Sequence, residues 1–564
     1  MLIKTGYPSQ DKTHLEGIDK KKLNPKILPM SILGTFLLVN SKNMDEPAVE
    51  ISGKVFSKQQ LRDDTFSMMK SLKLFNLEKG STFVIATPNL YQGIVLTMAA
   101  NASGFRVAYS NSQFPAKDLA ADINTHRAKV LLVYDRDADF AKEIFSETYS
   151  LLKIINVAPE ITNPEYNRRY FFGPLQSFFD YDEFMFDTQE FHCLVRPTFL
   201  ANLFSKKESL YLQTSGSTSG KPKILPFSNQ EIYASLIYAS NSTGTKTRDR
   251  GVKKVLCILP YRFPYGWMTI FVNLMGGNCV SIAEGASPEQ IGEYYKLKPS
   301  FIYGTPAIFR AFMDNTPEDA DLSFLKAFFC SGFSISEEWY QEGMQYLKAH
   351  NSNAEIRNNY GIGEGMCIGT ASDGVEHRPN TSGKFYVGPE WVLVDDELNE
   401  VKYGEVGEAL VWSKSLCHGY LGDEEKTRES FIPFRGKTFY RTGDYLSLAE
   451  DGYVTFLGRK KRFYQPLGAT DKVNCETIEK ALEALPELVE SCAVIIKFDE
   501  KTQSETSRAF VVPKDTLQDE ESLRTEIFLK LDLLPYQMPG SIVFLKEIPL
   551  MKSGKINYTM LERM

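Results

Sequence analysis

A loop of small hydroxyl residues and glycines, reading YLQTSGSTSGKPK, occupies residues 211–223. Glycine lets the backbone approach a ligand closely, and the N–H and O–H donors of such a loop suit a polyphosphate. The loop is not a Walker A loop, because that motif needs four residues between its glycines, and Gly216 and Gly220 enclose three. The sequence therefore predicts either a phosphate-binding loop of another type or a Gly/Ser/Thr-rich surface loop.

Further segments with residues suited to nucleotide chemistry follow this loop: NYGIGE at 359–364, YRTGD at 440–444, GR at 458–459 and PLMKSGKI at 549–556. A carboxylate can accept two ribose hydroxyls, which suits Asp444 after the tight Thr-Gly turn that YRTGD is expected to form. Magnesium that bridges phosphates takes one or two carboxylates, and Glu364 provides one. A lysine on a Ser-Gly turn, such as Lys555, can neutralise charge that develops during attack on a phosphate. Each motif taken alone is also compatible with an ordinary turn or a solvated surface residue.

Together and in this order, these segments resemble the adenylate-forming enzymes: acyl-CoA synthetases, peptide-synthetase adenylation domains and luciferases. The resemblance runs from about Val55 to Ile556. It implies an α/β fold with a large N-terminal domain, residues 1–458, made of mainly parallel sheets covered by helices plus a β-rich subdomain. A small, mobile α+β C-terminal domain, residues 459–564, is expected to carry the catalytic lysine and to rotate about a hinge at Lys461.

The hydrophobic pattern predicts a similar architecture without reference to any family. From about Val55 to Asp135, helical stretches alternate with short apolar strands, and the alternation returns after the phosphate loop. Such alternation predicts a largely parallel sheet with helices on both faces. Residues 389–457 are rich in strand and turn patterns, and a compact helix–strand region follows residue 461.

The resemblance also implies roles for individual residues. The expected ligands of the β- and γ-phosphates of ATP are in the loop: Thr214, Ser215, Gly216, Ser217, Thr218, Gly220 and Lys223. Tyr360 is expected to pack on adenine, Asp444 to bind the ribose and Arg459 to reach the nucleotide. Glu364 is the expected ligand of Mg²⁺ and, with Lys555, a catalytic residue.

The implied reaction has two steps. A carboxylate attacks the α-phosphate of ATP, which releases pyrophosphate and leaves an acyl-adenylate, and a thiol then displaces AMP. The expected acceptor is coenzyme A, with the phosphopantetheine of a separate acyl carrier protein as the alternative. An alternative of another class is a non-catalytic nucleotide sensor, which the retained Lys223, Glu364, Asp444 and Lys555 disfavour.

The segment PYRFPYG, residues 260–266, bears on the identity of the acid. In acyl-CoA synthetases a histidine stands at the position of Phe263, whereas peptide-synthetase domains have Phe-Asp there, and the aspartate binds an amino group. Because Pro264 stands in place of that aspartate, a fatty or aryl acid is expected rather than an amino acid. Further aromatic candidates for the pocket wall are Trp267, Tyr303 and Phe333.

The sequence departs from the family pattern at three places. Ser219 replaces a threonine in the phosphate loop, a small polar residue for another. Gly363 replaces the threonine before Glu364, which removes a hydroxyl expected to contact phosphate. After Gly468, the segment ATDKV replaces the usual Tyr/Phe-Arg-Ile, and this region normally shapes the face used in the thiol step. The thiol acceptor is therefore open.

Composition bounds the partners and the setting. The 564 residues include 64 basic and 71 acidic side chains, and the net charge of −7 argues against a nucleic-acid partner. No apolar run is long enough to cross a bilayer, and the polar N-terminus has no secretory signal. The eight cysteines form no CxxC pair and the six histidines form no metal-binding set. A cytoplasmic protein with a small-molecule carboxylic acid as substrate is the expectation.

Overall fold

The computed structural model describes residues 5–12, 15, 25–157, 178–180, 207–214, 222–242, 252–283, 287–332, 335–371, 378–464, 466, 473–499, 504–514, 519–550 and 556–564. The α-helices are α1 (Pro8–Asp11), α2 (Ile32–Asn40), α3 (Lys58–Lys73), α4 (Tyr91–Ala102), α5 (Ala116–His126), α6 (Ala138–Glu147), α7 (Asn229–Ser242), α8 (Pro264–Met275), α9 (Pro288–Glu293), α10 (Pro306–Asn315), α11 (Glu337–Ala349), α12 (Glu424–Ser430), α13 (Cys475–Glu483), α14 (Glu520–Lys530) and α15 (Tyr558–Leu561).

The strands follow the same order along the chain. They are β1 (Pro47–Ile51), β2 (Lys54–Ser57), β3 (Thr82–Ala86), β4 (Arg106–Tyr109), β5 (Val130–Tyr134), β6 (Lys153–Val157), β7 (Phe178–Asp180), β8 (Glu208–Gln213), β9 (Ile224–Ser228), β10 (Lys254–Cys257), β11 (Cys279–Ile282), β12 (Phe301–Gly304), β13 (Ala327–Ser331), β14 (Glu355–Asn359), β15 (Gly361–Ile362), β16 (Ile368–Ala371), β17 (Lys384–Phe385), β18 (Glu390–Val394), β19 (Val406–Trp412), β20 (Phe431–Phe434), β21 (Lys437–Leu448), β22 (Val454–Arg459), β23 (Phe463–Tyr464), β24 (Val473–Asn474), β25 (Val489–Asp499), β26 (Ser504–Pro513) and β27 (Ser541–Phe544).

Two mainly parallel sheets form the larger part of the described chain. One has the strand order β7-β6-β5-β3-β4-β8-β9, and the other has the order β14-β13-β12-β10-β11-β1-β2. Each sheet has a single antiparallel pair at one edge, β8 with β9 and β1 with β2. Their central strands are buried on both faces, which is why they read as continuous apolar runs such as VLLVY in β5. The predicted alternation of helices and parallel strands is confirmed.

A β-rich subdomain follows, in which β18, β19, β21, β20 and β22 form an antiparallel sheet. The YRTGD segment was expected to contain a tight turn, and this detail is wrong. It lies within the long strand β21, where Gly443 has a φ of 68° and the register with β19 and β22 shifts nearby. Glycine reaches this left-handed backbone region without steric cost, so the strand can bend locally and continue.

The C-terminal elements form a small α+β unit around β25, β26 and β27, with α13, α14 and α15 beside the sheet. The apolar faces of α13 and α14 pack on this sheet through Ile478, Leu482, Leu523 and Ile527, all buried. The last strand of the β-rich sheet, β22, ends at Arg459. Of the helices in the described ranges, none is both long and apolar enough to cross a membrane.

Candidate functional site

The carboxylate of Asp444 is the centre of a buried polar cluster. Residues on β21 and β22 pair so that Asp444 faces Arg459, and the Arg459 Nε lies 3.0 Å from Asp444 Oδ1. The Tyr360 hydroxyl donates to the other carboxylate oxygen at 2.6 Å. Arg459 also donates from Nη1 to the Thr442 carbonyl at 3.0 Å, which fixes the guanidinium beside the carboxylate. Asp444 is 1% exposed, so its charge depends on these partners.

Two opposing effects act on the pKa of Asp444 in this cluster: its burial and its contacts with Arg459 and Tyr360. Burial raises the pKa of Asp444, while the Arg459 charge and the Tyr360 hydrogen bond act in the opposite direction. The pKa of Arg459 is raised, chiefly by Asp444, so the guanidinium stays charged. The ring of Tyr360 packs against that of Phe456, with centroids 5.6 Å apart and the ring planes 27° apart. The cluster therefore combines an ion pair with a flat aromatic surface.

A second cluster joins Glu364, Tyr420 and Lys223. Glu364 lies on a single 3₁₀ turn, Gly363–Gly365, and its Oε1 accepts a hydrogen bond from the Tyr420 hydroxyl at 2.8 Å. The Lys223 Nζ lies 3.5 Å from that hydroxyl and 4.4 Å from the centroid of the Tyr420 ring. Burial lowers the pKa of Lys223, partly offset by the Glu364 carboxylate. A half-buried cation and a carboxylate thus face the same space.

The ends of the predicted phosphate loop are held together. The Thr214 N–H donates to the Lys223 carbonyl at 2.9 Å, and the Lys223 N–H donates to Thr214 Oγ1 at 3.0 Å. Both residues line the cavity described below. The remaining predicted loop residues lie outside the described residues: Ser215, Gly216, Ser217, Thr218 and Gly220.

The predicted catalytic residue Lys555 also lies outside the described residues. On either side of it, Leu550 and Ile556 pair in an isolated antiparallel bridge, and Ile556 lines the same cavity as Lys223. Leu550 therefore lies next to a residue of the cavity wall.

One cavity of about 2240 Å³ contains Lys223, Glu364, Tyr360, Asp444 and Arg459 in its wall. Residues from the C-terminal unit border it as well, among them Cys475, Glu476, Lys480 and Tyr558. Thr214 lies in the same wall. Every predicted nucleotide-contacting residue within the described ranges therefore borders this cavity.

The cavity continues into an aromatic chamber formed by Tyr265, Tyr303, Phe329 and Tyr386. The rings of Tyr303 and Phe329 stack with centroids 4.4 Å apart, and the Tyr265 hydroxyl donates to the Phe329 carbonyl at 3.1 Å. Helix α8 begins at Pro264, close behind the turn after β10. A Cβ at Gly266 would lie 2.2 Å from the Pro260 carbonyl oxygen, so this close approach requires glycine.

The aromatic candidates for the pocket wall divide into three cases. Tyr303 lines the chamber. Trp267 faces the core instead, where it is fully buried and stacks on Phe271 with centroids 4.4 Å apart. Phe333 lies outside the described residues. The direction in which Trp267 points depends on its position on helix α8 relative to Tyr265, and a short sequence motif does not determine that direction.

The structure adds residues for which the sequence had suggested no role. Tyr420 links Glu364 to Lys223, and Tyr440 is buried beside both Tyr420 and Glu364. Arg262 donates to Asn111 Oδ1 at 2.8 Å and lines the cavity near Thr214. No sequence signal identified Tyr420, whereas Tyr440 stands inside the YRTGD motif. Across the described ranges, no group of three or more histidine, cysteine, aspartate or glutamate side chains is arranged to hold a metal ion.

The chain matches two protein-family profiles. The profile described as AMP-binding enzyme matches residues 38–421, and the profile described as AMP-binding enzyme C-terminal domain matches residues 477–555. Among curated relatives, a D-alanine–D-alanyl carrier protein ligase of Streptococcus pneumoniae is 24% identical over 372 residues, which are 62% of this chain and 69% of the relative. A vibriobactin-specific 2,3-dihydroxybenzoate-AMP ligase of Vibrio cholerae is 27% identical over 362 residues, 63% of each chain.

The fold has close counterparts among solved structures. The crystal structure of the anthranilate CoA ligase AuaEII with anthranoyl-AMP superposes with a TM-score of 0.74 at 19% identity, covering 96% of this chain and 98% of that one. The amide bond synthetase McbA from Marinactinospora thermotolerans gives a TM-score of 0.71 at 20% identity, covering 94% and 99%. The resemblance to adenylate-forming enzymes is confirmed, and the chain belongs to the AMP-binding enzyme family.

Proposed function

We propose that this protein uses ATP to convert a fatty or aryl carboxylic acid into its acyl-adenylate and then transfers the acyl group to the thiol of coenzyme A. The observation that carries the proposal is the single cavity that joins the polar clusters around Asp444 and Glu364 to the aromatic chamber. A nucleotide and an acid bound in these two parts would meet where the parts join. Such a juxtaposition is what an acyl-adenylate synthesis requires.

The polar clusters suit the parts of ATP. Lys223, with Thr214 and the loop between them, would bind the β- and γ-phosphates. The Tyr360 ring would lie against adenine, and the Asp444 carboxylate, held by Arg459, would accept the ribose hydroxyls. Each partner offers the charge or the flat surface that its part of the nucleotide needs.

Glu364 would supply the protein ligand of Mg²⁺. Its carboxylate lies in the cavity wall beside Lys223, with Oε1 oriented by Tyr420. A magnesium ion held mainly by phosphate oxygens and waters needs only one or two carboxylates, so the donor set fits. The bound ion would neutralise phosphate charge as pyrophosphate departs.

In the first step, a carboxylate oxygen of the acid forms a bond to the α-phosphorus, and the bond to the pyrophosphate oxygen breaks. Lys555 would neutralise the charge that develops on the reacting oxygens. In the second step, a deprotonated thiol attacks the acyl carbon and AMP leaves. Residues 459–564 would rotate about Lys461 between the steps, so that Lys555 serves the first and another face of the domain serves the second.

The chamber favours a fatty or aryl acid over an amino acid. Its wall at Tyr265, Tyr303 and Phe329 is aromatic, and Pro264 is the first residue of α8. No carboxylate therefore stands at the position where peptide-synthetase domains bind the substrate amino group. An acid with an apolar body satisfies this surface, whereas an ammonium group would be left without a charged partner there.

A carrier-protein thiol is the second candidate for the acceptor. It is favoured by the relative from Streptococcus pneumoniae, which is described as a carrier protein ligase. Mass spectrometry of the thioester formed with coenzyme A and with candidate carrier proteins separates the two. The proposed location is the cytoplasm, in keeping with the free cysteines among the described residues.

The test of the activation step is carboxylate-dependent exchange of pyrophosphate into ATP over a broad panel of acids. Exchange that appears only with a particular acid and with Mg²⁺ is the expected result. Binding of ATP or AMP without exchange for any acid in the panel would contradict the proposal and favour a nucleotide sensor.

A further inference from the structure

The neighbouring helices α7 and α8 are mostly buried, but each has partly exposed residues at helical spacing. On α7 these are Tyr233, Ile237 and Ser240, and on α8 they are Tyr265 and Val272, followed by Gly276. All of them line the cavity, and most residues between them on the two helices are buried. The Ser235 hydroxyl on α7 lies 3.5 Å from the Met268 sulfur on α8, so the two helices are adjacent. We name the space along these residues the acyl channel.

The acyl channel runs the whole length of α8. From Tyr265 to Gly276 the helical rise amounts to about 16 Å at 1.5 Å per residue. At its far end the cavity wall includes Thr35, Leu38 and Val39 of α2. Leu38 is 61% exposed and Val39 is 53% exposed, which makes the far end an apolar opening at the surface.

Several polar side chains near this opening are paired with other protein groups. The Lys58 ammonium, which is 2% exposed, lies 2.6 Å from Glu46 Oε2. Asn40 donates to the carbonyls of Phe36 and Leu274 at 2.9 and 3.2 Å. The Asn278 amide donates to the Asn273 side-chain oxygen at 3.0 Å. The far end therefore offers an apolar lining and satisfied polar groups, which does not favour a substrate with a second charged end.

We propose that the acid activated by this protein carries a long, unbranched alkyl chain that lies in the acyl channel and points its terminal methyl group to the opening at Leu38 and Val39. This inference rests on the proposed function, because the chain must start at the carboxyl group in the aromatic chamber. An aryl acid fills the chamber and leaves the channel without a ligand. An alkyl chain gains about fourfold in affinity for each methylene group that it buries.

The first experiment measures kcat/KM for acid-dependent pyrophosphate release with butanoic, octanoic, dodecanoic and hexadecanoic acids, and with benzoic acid. We expect kcat/KM to rise by at least a hundredfold from butanoic to dodecanoic acid. Activity that is highest with benzoic or butanoic acid would overturn the inference and leave the proposed function standing. The absence of activity with every acid would overturn the proposed function as well.

The second experiment blocks the channel in the middle of α8. Val272→Trp places a larger side chain at this partly exposed position. It is expected to lower kcat/KM for dodecanoic and hexadecanoic acids at least tenfold, whereas kcat/KM for butanoic acid should stay within twofold of the parent value. Val55→Trp is the matched control, because Val55 is 55% exposed and is not part of the cavity wall. An equal loss for all chain lengths in Val272→Trp, with normal folding, would contradict occupation of the channel by the chain.

A third measurement uses the unaltered protein and does not depend on the folding of a variant. Hexadecanoic acid with a photoreactive diazirine near its terminal carbon is irradiated in the presence of ATP and Mg²⁺, and the labelled peptide is identified by mass spectrometry. Labelling of residues 32–40 of α2 is expected. Labelling confined to β12 and β13, which contribute Tyr303 and Phe329 to the aromatic chamber, would place the chain elsewhere and overturn the inference.

Discussion

The two ends of the cavity are built on different principles. The end that contains Asp444, Arg459, Tyr360, Glu364 and Lys223 is called the nucleotide end, and its charged groups contact one another or tyrosine hydroxyls at hydrogen-bond distances. The acyl channel has mainly apolar and aromatic walls, and Lys58, Asn40 and Asn278 near its opening are paired with protein groups. The first end needs particular residue types at fixed spacing, whereas the second needs only a continuous open helix face. This difference explains why short motifs identified the one and not the other.

The largest effect on the nucleotide end is expected from the loss of the Lys555 side chain. Lys555→Ala is expected to lower the rate of adenylate formation about a thousandfold, because charge stabilisation in the transition state is lost. A supplied acyl-adenylate should still react with the thiol at close to the parental rate. Both half-reactions are measured separately, by pyrophosphate release and by thioester formation. Pyrophosphate release that survives the substitution would show that Lys555 does not serve the first step.

A smaller effect is expected at the centre of the nucleotide end. Asp444→Asn removes the charge that pairs with Arg459 and that is proposed to accept the ribose hydroxyls. The expected cost is about 3 kcal/mol, or roughly a hundredfold in KM for ATP. The KM for the acid should change little. Asp396→Asn is the control, since Asp396 is half exposed and pairs with Lys460 at 2.8 Å outside this cluster. Equal changes in the two variants would argue against a ribose-binding role for Asp444.

The pH dependence of ATP binding distinguishes the nucleotide end from the acyl channel, because the titrating group, Lys223, lies only at the nucleotide end. Burial lowers the pKa of Lys223, so this ammonium loses its proton as pH rises through a value below that of an ordinary lysine. Bound phosphate favours the protonated form, so the affinity for ATP should fall about tenfold as pH rises through the lowered pKa. Lys223→Arg keeps its charge and should abolish this fall. Isothermal titration of both proteins between neutral and alkaline pH checks the result, and an identical fall in Lys223→Arg would exclude Lys223 as its source.

The smallest effect is expected when one hydroxyl of the nucleotide end is removed. Tyr360→Phe loses the 2.6 Å hydrogen bond to Asp444 and keeps the aromatic ring against Phe456. The KM for ATP should rise about fivefold, which corresponds to about 1 kcal/mol. Tyr360→Ala also removes the ring and should raise it further. Similar values for the two variants would show that the ring contributes nothing to nucleotide binding.

Much of the architecture could be predicted from local pattern. Apolar runs such as FVIA in β3 and VLLV in β5 predicted buried parallel strands, and both lie at the centre of one sheet. Helix ends were less accurate, because they depend on single residues. Apolar residues at helical spacing continue from Lys58 to Leu77, yet α3 ends at Lys73, and Asn76 has a φ of 47°. This left-handed backbone conformation is incompatible with a continuing helix.

The candidate site could be predicted only where its residues stand in short motifs. Asp444, Arg459 and Glu364 stand within recognisable motifs, and all three line one cavity. Tyr420 lies between Glu364 and Lys223 but stands in no motif, since its place depends on how distant segments meet. Likewise, the channel depends on which face of α8 is open. Val272 and its buried neighbour Phe271 are both apolar, so hydrophobicity does not distinguish the open face from the buried one.

The central claim is that the nucleotide end and the apolar part of the cavity act together on one acid. Exchange of labelled pyrophosphate into ATP, measured over a panel of straight-chain and aryl acids, tests it most directly. The account predicts exchange that requires both Mg²⁺ and an acid and that is fastest with a long straight chain. ATP binding with no exchange for any acid in the panel would contradict it.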